Sequence, residues 1–239
     1  MVMAPWHRRR AFVVDFEALN PPYSITLNVN IAASSPPLHN ITAAILAGGR
    51  GTRLGGADKG LEVLAGRPLI APIIAALETQ CGALLINANR NFDRYRALGF
   101  SVVSDADAEF KGPLAGMLSV LRAATTEYVL CVPCDAPLLP PDLTTRLWRA
   151  LAVAGAPASV ARNRNGMQPV YVMLSTALID ALADALDGGT RKVADWLHSV
   201  GAAEADFSDC PTMFLNLNCA ADRLLLLAQM EMSKSCQTP

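Results

Sequence analysis

The sequence predicts an α/β protein built on a mostly parallel, buried sheet, and three observations carry that reading. From Ile41 onward, short β-branched or apolar runs alternate with amphipathic stretches, the pattern of successive βαβ units. Hydrophobic residues make up 52% and charged residues 17% of the 239 positions, enough apolar material for a sizeable core and too much for a disordered chain. A glycine-rich loop follows the first expected strand directly, which is where open α/β sheets place their ligand sites.

Expected strands cover residues 41–47, 83–87, 100–104, 128–133, 158–162 and 170–174, each short and bounded by turn residues. Helical spacing predicts helices over 69–80, 92–98, 114–124, 142–154, 176–186, 192–200 and 220–230. Within the third of these, Leu114, Met117, Leu118 and Leu121 fall on one face, a stripe that reads as core packing and not as a cofactor contact. Residues 1–40 carry Pro21-Pro22 and Ser34-Ser35-Pro36-Pro37 without periodicity, so they read as an extension outside the fold. The expected organisation is therefore an extension over 1–40, one domain over 41–231 and a tail over 232–239.

Lys+Arg 20 against Asp+Glu 21 gives a net charge of −1, so no global field draws the chain to nucleic acid or to a membrane. Phosphate recognition has to be local. The longest apolar runs, 69–77 and 224–228, fall short of a bilayer span, and Arg8-Arg9-Arg10 is followed by too short an apolar stretch for a signal peptide. Six scattered cysteines fit a reducing compartment, so a soluble cytoplasmic protein is expected.

The most informative stretch is Leu46-Ala47-Gly48-Gly49-Arg50-Gly51-Thr52-Arg53-Leu54-Gly55-Gly56-Ala57-Asp58-Lys59. Glycines leaving a strand bring backbone N–H groups close to an anion, and Arg50, Arg53 and Lys59 add positive charge around it. The loop is not a Walker A motif, because Gly60 follows Lys59 where Ser or Thr is required, and Leu54 occupies the third glycine of a dinucleotide fingerprint. Cys131-x-x-Cys134 lacks a second cysteine pair and lies in a strand-like run, so it reads as two buried structural thiols. His7, His39 and His198 lie outside every motif and read as surface or capping residues, and Asp107 as a solvated loop charge.

Asp135 ends an apolar run at the expected carboxyl edge of a strand, where a carboxylate suits either Mg²⁺ or a turn. Asn87 and Asp105 stand at expected strand ends, where an amide and a carboxylate serve either a ligand pocket or a turn.

The loop resembles the LAGG-x-x-x-R-x-G-G-x-DK signature of the molybdenum cofactor guanylyltransferases. Further matches follow in order: Asn87-Ala88-Asn89-Arg90, Gly112-Pro113-Leu114-Ala115-Gly116-Met117, Pro133-Cys134-Asp135 and Asn216-Leu217-Asn218. The resemblance covers essentially all of residues 41–231 and has no counterpart for the segment before Ile41. It implies a Rossmann-like three-layer nucleotidyltransferase fold with a mostly parallel sheet. It also implies transfer of GMP from GTP to the terminal phosphate of molybdopterin, with release of pyrophosphate.

On that resemblance, GTP is bound by Leu46, Ala47, Gly48, Gly49, Lys59, Asn87, Asp105 and Asp135, with the amides of Ala47 to Gly49 on the phosphates. Lys59 and Arg53 offset charge toward the leaving pyrophosphate, and Asp135 holds Mg²⁺. The pterin side falls to Gly112, Gly116, Gln168, Asn216 and Asn218; from the residues alone, Gly166 to Pro169 and the strand end Asn216 to Asn218 read either as polar groups reaching a second substrate or as a turn and a partly satisfied edge strand. The implied partners are GTP, the molybdenum cofactor and molybdenum-cofactor delivery or acceptor proteins. Two rival functions stay open at the level of sequence. One is a cytidylyl- or sugar-nucleotide transferase on the same scaffold; the other is a non-catalytic nucleotide or cofactor carrier, against which the presence of Lys59 and Asp135 speaks.

Overall fold

Strand β1, Ile41–Leu46, is apolar on both sides, and the fold buries both. Ile41, Ala43 and Ile45 enter one hydrophobic cluster while Ala44 enters another on the opposite face, the period of two that a strand imposes. Its one hydroxyl, on the buried Thr42, is satisfied by Thr126 Oγ1 at 2.7 Å. The computed structural model describes residues 36–49, 58–105, 112–210 and 212–235.

After a 3-10 turn at Lys59–Leu61, a two-residue ribbon of β2 (Val63–Leu64) and β3 (Arg67–Pro68) turns through Ala65 and Gly66, both with positive φ (51° and 78°). The main sheet then alternates with helices: α1 (Ile70–Glu78), β4 (Ala83–Asn87), α2 (Phe92–Arg96), β5 (Ser101–Val103), α3 (Pro113–Ala123), β6 (Tyr128–Pro133) and α4 (Leu143–Ala154). A hairpin of β7 (Ala158–Asn163) and β8 (Gly166–Ser175) follows, then α5 (Ile179–Asp187), α6 (Val193–Ser199), β9 (Ala203–Asp206) and α7 (Ala220–Ser235).

The seven strands lie in the order β5-β4-β1-β6-β8-β7-β9, and only β8 runs against its neighbours. Helices α1 and α4 pack on one face, where Ile70, Ile73, Leu77, Leu143, Leu147 and Leu151 meet β1 and β6. Helices α3, α5 and α6 pack on the other through Leu114, Met117, Leu118, Leu121, Leu182 and Trp196. The α/β expectation and the three layers hold, and the Leu114 to Leu121 stripe is core. Each such fully buried Leu or Ile contributes about 1.5–3 kcal/mol relative to exposure. Helix α4 shows how the ends are set: Leu143, Leu147 and Leu151 recur every four residues, and Gly155 stops the helix in the left-handed region (φ 61°).

Several boundaries differ from the expectation. β8 begins at Gly166, four residues before the expected start at Val170, because a register shift after Val160 accommodates Pro169, which has no N–H to donate. β9, with sequence AEAD, has no strand propensity of its own; it forms by pairing with β7, and Arg162 bonds Glu204 across the pair at 2.8 Å. Asn216 to Asn218 form no strand; the Leu217 amide instead donates to the Asp135 carbonyl at 2.8 Å. Residues 36–40, read as part of the extension, include a 3-10 turn at Leu38–Asn40 where Asn40 and Glu127 exchange two bonds of 2.8 and 3.2 Å. No helix among the described residues is long and apolar enough to cross a membrane.

Candidate nucleotide site at the carboxyl edge of the sheet

Register places the site. Leu46 of β1 stands beside Asn87 of β4 and Pro133 of β6, and Asn87 stands beside Val103 of β5. Two residues further along each strand come Gly48, Asn89, Asp135 and Asp105, so four separated sequence runs emerge side by side at one rim. The chain passes from β1 outward to β4 and β5, then returns to β6 on the other side of β1, and such a switch in strand order opens a crevice at the carboxyl ends. A cavity of about 470 Å³ lies there, lined among others by Gly48, Gly49, Lys59, Asn87, Asp105, Gly112, Gly116, Asp135 and Asn216.

On the β4 side, two amides grip one carboxylate. Asn87 Nδ2 donates to Asp105 Oδ1 and Asn89 Nδ2 to Asp105 Oδ2, both at 2.8 Å, while the Asp105 amide returns a bond of 2.9 Å to Asn89 Oδ1. Asn89 Nδ2 also reaches the Gly48 carbonyl at 3.1 Å, tying the loop to this network. A side chain at Gly48 would displace this network, since a Cβ there meets Asn89 Nδ2 at 2.8 Å and Asn87 Oδ1 at 3.0 Å. Asn89 is absent from the residues singled out as binding, although it lies in the matched run Asn87-Ala88-Asn89-Arg90; its position two past Asn87 was the available signal.

On the β6 side, Lys59 Nζ donates to Asp135 Oδ2 at 2.8 Å and to Asn218 Oδ1 at 2.7 Å. Both Lys59 and Asp135 are largely shielded, with side chains 20% and 15% exposed. Asn218 sits where it does because its amide and that of Cys219 donate to Asp222 Oδ2 at 2.8 and 2.9 Å at the start of α7, and those bonds hold the Asp222 carboxyl below the usual range.

The predicted residues divide accordingly. Leu46, Ala47, Gly48, Gly49, Lys59, Asn87, Asp105 and Asp135 all line the one cavity. The Ala47 amide, expected to face phosphate, is bonded to the Asn87 carbonyl at 2.7 Å, so among the described residues the loop amides left for an anion are those of Gly48 and Gly49. Of the residues assigned to the pterin, Gly112, Gly116 and Asn216 line the cavity. Gly116 lies against Asn87, whose Oδ1 stands 2.5 Å from where its Cβ would be. Gln168 is turned into the β7–β8 hairpin, donating to Asn163 Oδ1 at 3.1 Å and Gly166 O at 3.3 Å, and Asn218 bonds Lys59. Arg50, Arg53 and Asp107 lie outside the described residues.

Cys131 and Cys134 are buried thiols, as their setting in β6 predicts. Burial pushes the Cys131 thiol up to about 12, and burial with the neighbouring Asp135 charge raises Cys134 as well. His198 bonds Ala194 O within its own helix at 2.7 Å and has no part in the cavity.

No cluster of three or more His, Cys, Asp or Glu able to hold a metal occurs among the described residues. The donor chemistry at Asp135 nevertheless suits Mg²⁺: one hard carboxylate at a polar rim, with Lys59 on Oδ2 and no partner on Oδ1 among the described residues. Such a site fits an ion that keeps phosphate oxygens and water as its remaining ligands.

Comparison with known proteins places the chain. The sequence profile of the MobA-like NTP transferase domain matches residues 43–201. A protein of Shewanella putrefaciens named molybdenum cofactor guanylyltransferase is 45% identical over 182 residues, covering 76% of this chain and 93% of that one. The fold is similar to molybdopterin-guanine dinucleotide biosynthesis protein A from Archaeoglobus fulgidus, with TM-score 0.64 and 20% identity over 81% of this chain and 99% of that one. It is also similar to a Mycobacterium tuberculosis protein solved as a complex with manganese, with TM-score 0.56 and 18% identity over 79% and 98% of the two chains. At those identities the solved structures speak to the fold alone. The profile and the Shewanella relative speak to descent, and on them the chain belongs to the MobA-like nucleotidyltransferases, among the molybdenum cofactor guanylyltransferases.

Proposed function

We propose that the protein transfers GMP from GTP to the terminal phosphate of molybdopterin. An oxygen of that phosphate forms a bond to the α-phosphorus of GTP, the bond from that phosphorus to the bridging oxygen breaks, and pyrophosphate leaves with the electron pair. A phosphate monoester is already anionic at neutral pH, so no general base is needed, which agrees with a cavity that no histidine lines among the described residues.

The observation that carries the reading is the convergence of Lys59, Asp135, Asp105 and the amides of Gly48 and Gly49, which have no partner among the described residues, on a single cavity. Lys59 uses two of its three N–H donors on Asp135 and Asn218, and the third is available to a phosphate oxygen. The Gly48 and Gly49 amides hold phosphate on the β1 side. Asp105, fixed by two asparagine amides, keeps lone pairs able to accept from the N1 and N2 protons of guanine. Asp135 would hold a Mg²⁺ ion, which supplies charge neutralisation across the triphosphate. The protein's own contribution is orientation and electrostatic stabilisation.

The test is pyrophosphate release on adding GTP, Mg²⁺ and molybdopterin to the purified protein, with CTP and UTP in parallel. Release with GTP in preference to both is expected. Preference for CTP overturns the guanine assignment, and binding of GTP without release overturns the enzymatic one.

A further inference from the structure

Asp58 takes no part in the reaction as described, yet its carboxylate is among the most firmly held polar groups beside the cavity. Tyr95 Oη donates to Asp58 Oδ1 at 2.5 Å, Asn91 Nδ2 donates to Oδ2 at 2.8 Å, and Arg90 Nε stands 3.8 Å from Oδ2. The Asp58 side chain is 6% exposed and Tyr95 is fully buried. Arg90 and Asn91 come from the segment joining β4 to α2 and Tyr95 from α2 itself, so a single stretch of chain closes on one carboxylate.

Asp58 precedes the 3-10 turn Lys59–Leu61 at its N-cap position, where an aspartate ordinarily caps the turn, but its side chain makes no capping bond. The carboxylate is spent wholly on the clamp. Asn91 holds the left-handed conformation (φ 52°), which costs a non-glycine residue on the order of 1 kcal/mol and persists only where its surroundings enforce it. The turn lies so close over the tyrosine that a Cβ at Gly60 meets Tyr95 Oη at 2.7 Å. The residue after the clamped Asp58 is Lys59, whose flexible side chain has to reach Asp135, 76 residues away in sequence.

We infer that Tyr95 is a positioning residue for nucleotidyl transfer: with Asn91 it fixes Asp58 and thereby aims Lys59 at the reacting phosphates. The inference rests on the proposed role of Lys59, and it adds a buried residue that does not line the cavity. Its physical basis is leverage, since a displacement of about 1 Å at a charged group in a reacting complex costs up to ~10²-fold in rate.

The experiment compares the parent with Tyr95→Phe, which keeps the buried ring and removes only the hydroxyl, and with Asn91→Gly, which keeps the left-handed backbone and removes only the amide. Steady-state pyrophosphate release with GTP, Mg²⁺ and molybdopterin gives kcat and KM, and melting temperature is read alongside. Each variant is expected to lose about 10-fold in kcat, with the KM for GTP changed less than twofold. In a Lys59→Ala background, assayed at high enzyme concentration, Tyr95→Phe is expected to cost nothing further, because its effect runs through the removed lysine. A Tyr95→Phe protein with parent kcat overturns the inference alone. So does a loss that multiplies with Lys59→Ala, which marks a merely structural role. A parent that releases no pyrophosphate overturns the functional reading, and the inference with it.

Discussion

Lys59 and Asp135 are joined by a contact of 2.8 Å between Nζ and Oδ2, and Asn218, 159 residues beyond Lys59, completes the trio at 2.7 Å. An early loop, the end of a central strand and the approach to the last helix thus meet on one ammonium group. The pair lines the cavity and is largely shielded, and for such a pair the desolvation cost offsets much of the Coulombic gain, so its presence is better explained by chemistry than by stability.

Replacing Asp135 with asparagine therefore separates rate from fold. Pyrophosphate release is expected to drop by on the order of 10²–10³-fold, the scale seen when one preorganised electrostatic group is lost. The melting temperature should stay within a few degrees of the parent. Turnover near the parent rate would show that the carboxylate carries no metal or phosphate chemistry.

Base selection should depend on Asp105. Hydrogen bonds to charged groups are worth about 1.5–3 kcal/mol, so Asp105→Asn is expected to narrow the preference for GTP over ATP by roughly 10- to 150-fold in kcat/KM. Competition between the two nucleotides in one assay gives that ratio directly. An unchanged ratio moves the base away from the β4–β5 edge.

Close approach of α3 to β4 makes Gly116 a sensitive position. The Cβ of Gly116→Ala falls 2.5 Å from Asn87 Oδ1, so either the helix or the Asn87 amide has to move. Overpacking of this kind costs about 1–3 kcal/mol. A lower melting temperature with a raised KM for GTP is expected; no change in either contradicts the close packing.

Acid stability offers a test remote from the cavity. Arg146 grips Asp209 through two bonds of 2.6 and 2.7 Å and holds its carboxyl down at about 2. An unfolded aspartate titrates near ~3.9, so this contribution is complete above that pH and disappears as pH falls through about 2. Between pH 5 and 2.5, the parent should lose more melting temperature than Asp209→Asn. Parallel losses would count against the ion pair.

Thiol labelling checks the reading of Cys131 and Cys134. With Cys131 raised to about 12 and both side chains buried, neither should react with iodoacetamide in the native protein near pH 8. Cys219, exposed at the rim, should be the first of the described cysteines to label. Rapid modification of Cys134 would show that β6 opens far more readily than a central strand should.

Much of this architecture is legible in the sequence because its signals are local. The apolar runs of β1, β4 and β6, the four-residue spacing of Leu143, Leu147 and Leu151, and the loop from Leu46 to Lys59 each announce themselves within a few neighbours. β9 does not, since AEAD becomes a strand only because β7 offers it an edge. Gln168 is similar in kind: its polarity suggested a substrate contact, but only the hairpin geometry shows that Asn163 and Gly166 already occupy its amide.

The sequence by itself determined the α/β class, the family and the identity of the residues at the strand ends, because strand period and motif order are properties of neighbours along the chain. Tertiary structure alone decided which of those residues meet. Parallel register sets Gly48, Asn89, Asp105 and Asp135 at one level, and three-dimensional packing brings Asn91 and Tyr95 onto Asp58 and Asn218 onto Lys59. The reason is physical: hydrogen bonds act over about 3 Å of space without regard to sequence separation, so contacts spanning 76 and 159 residues leave no periodic trace in the sequence.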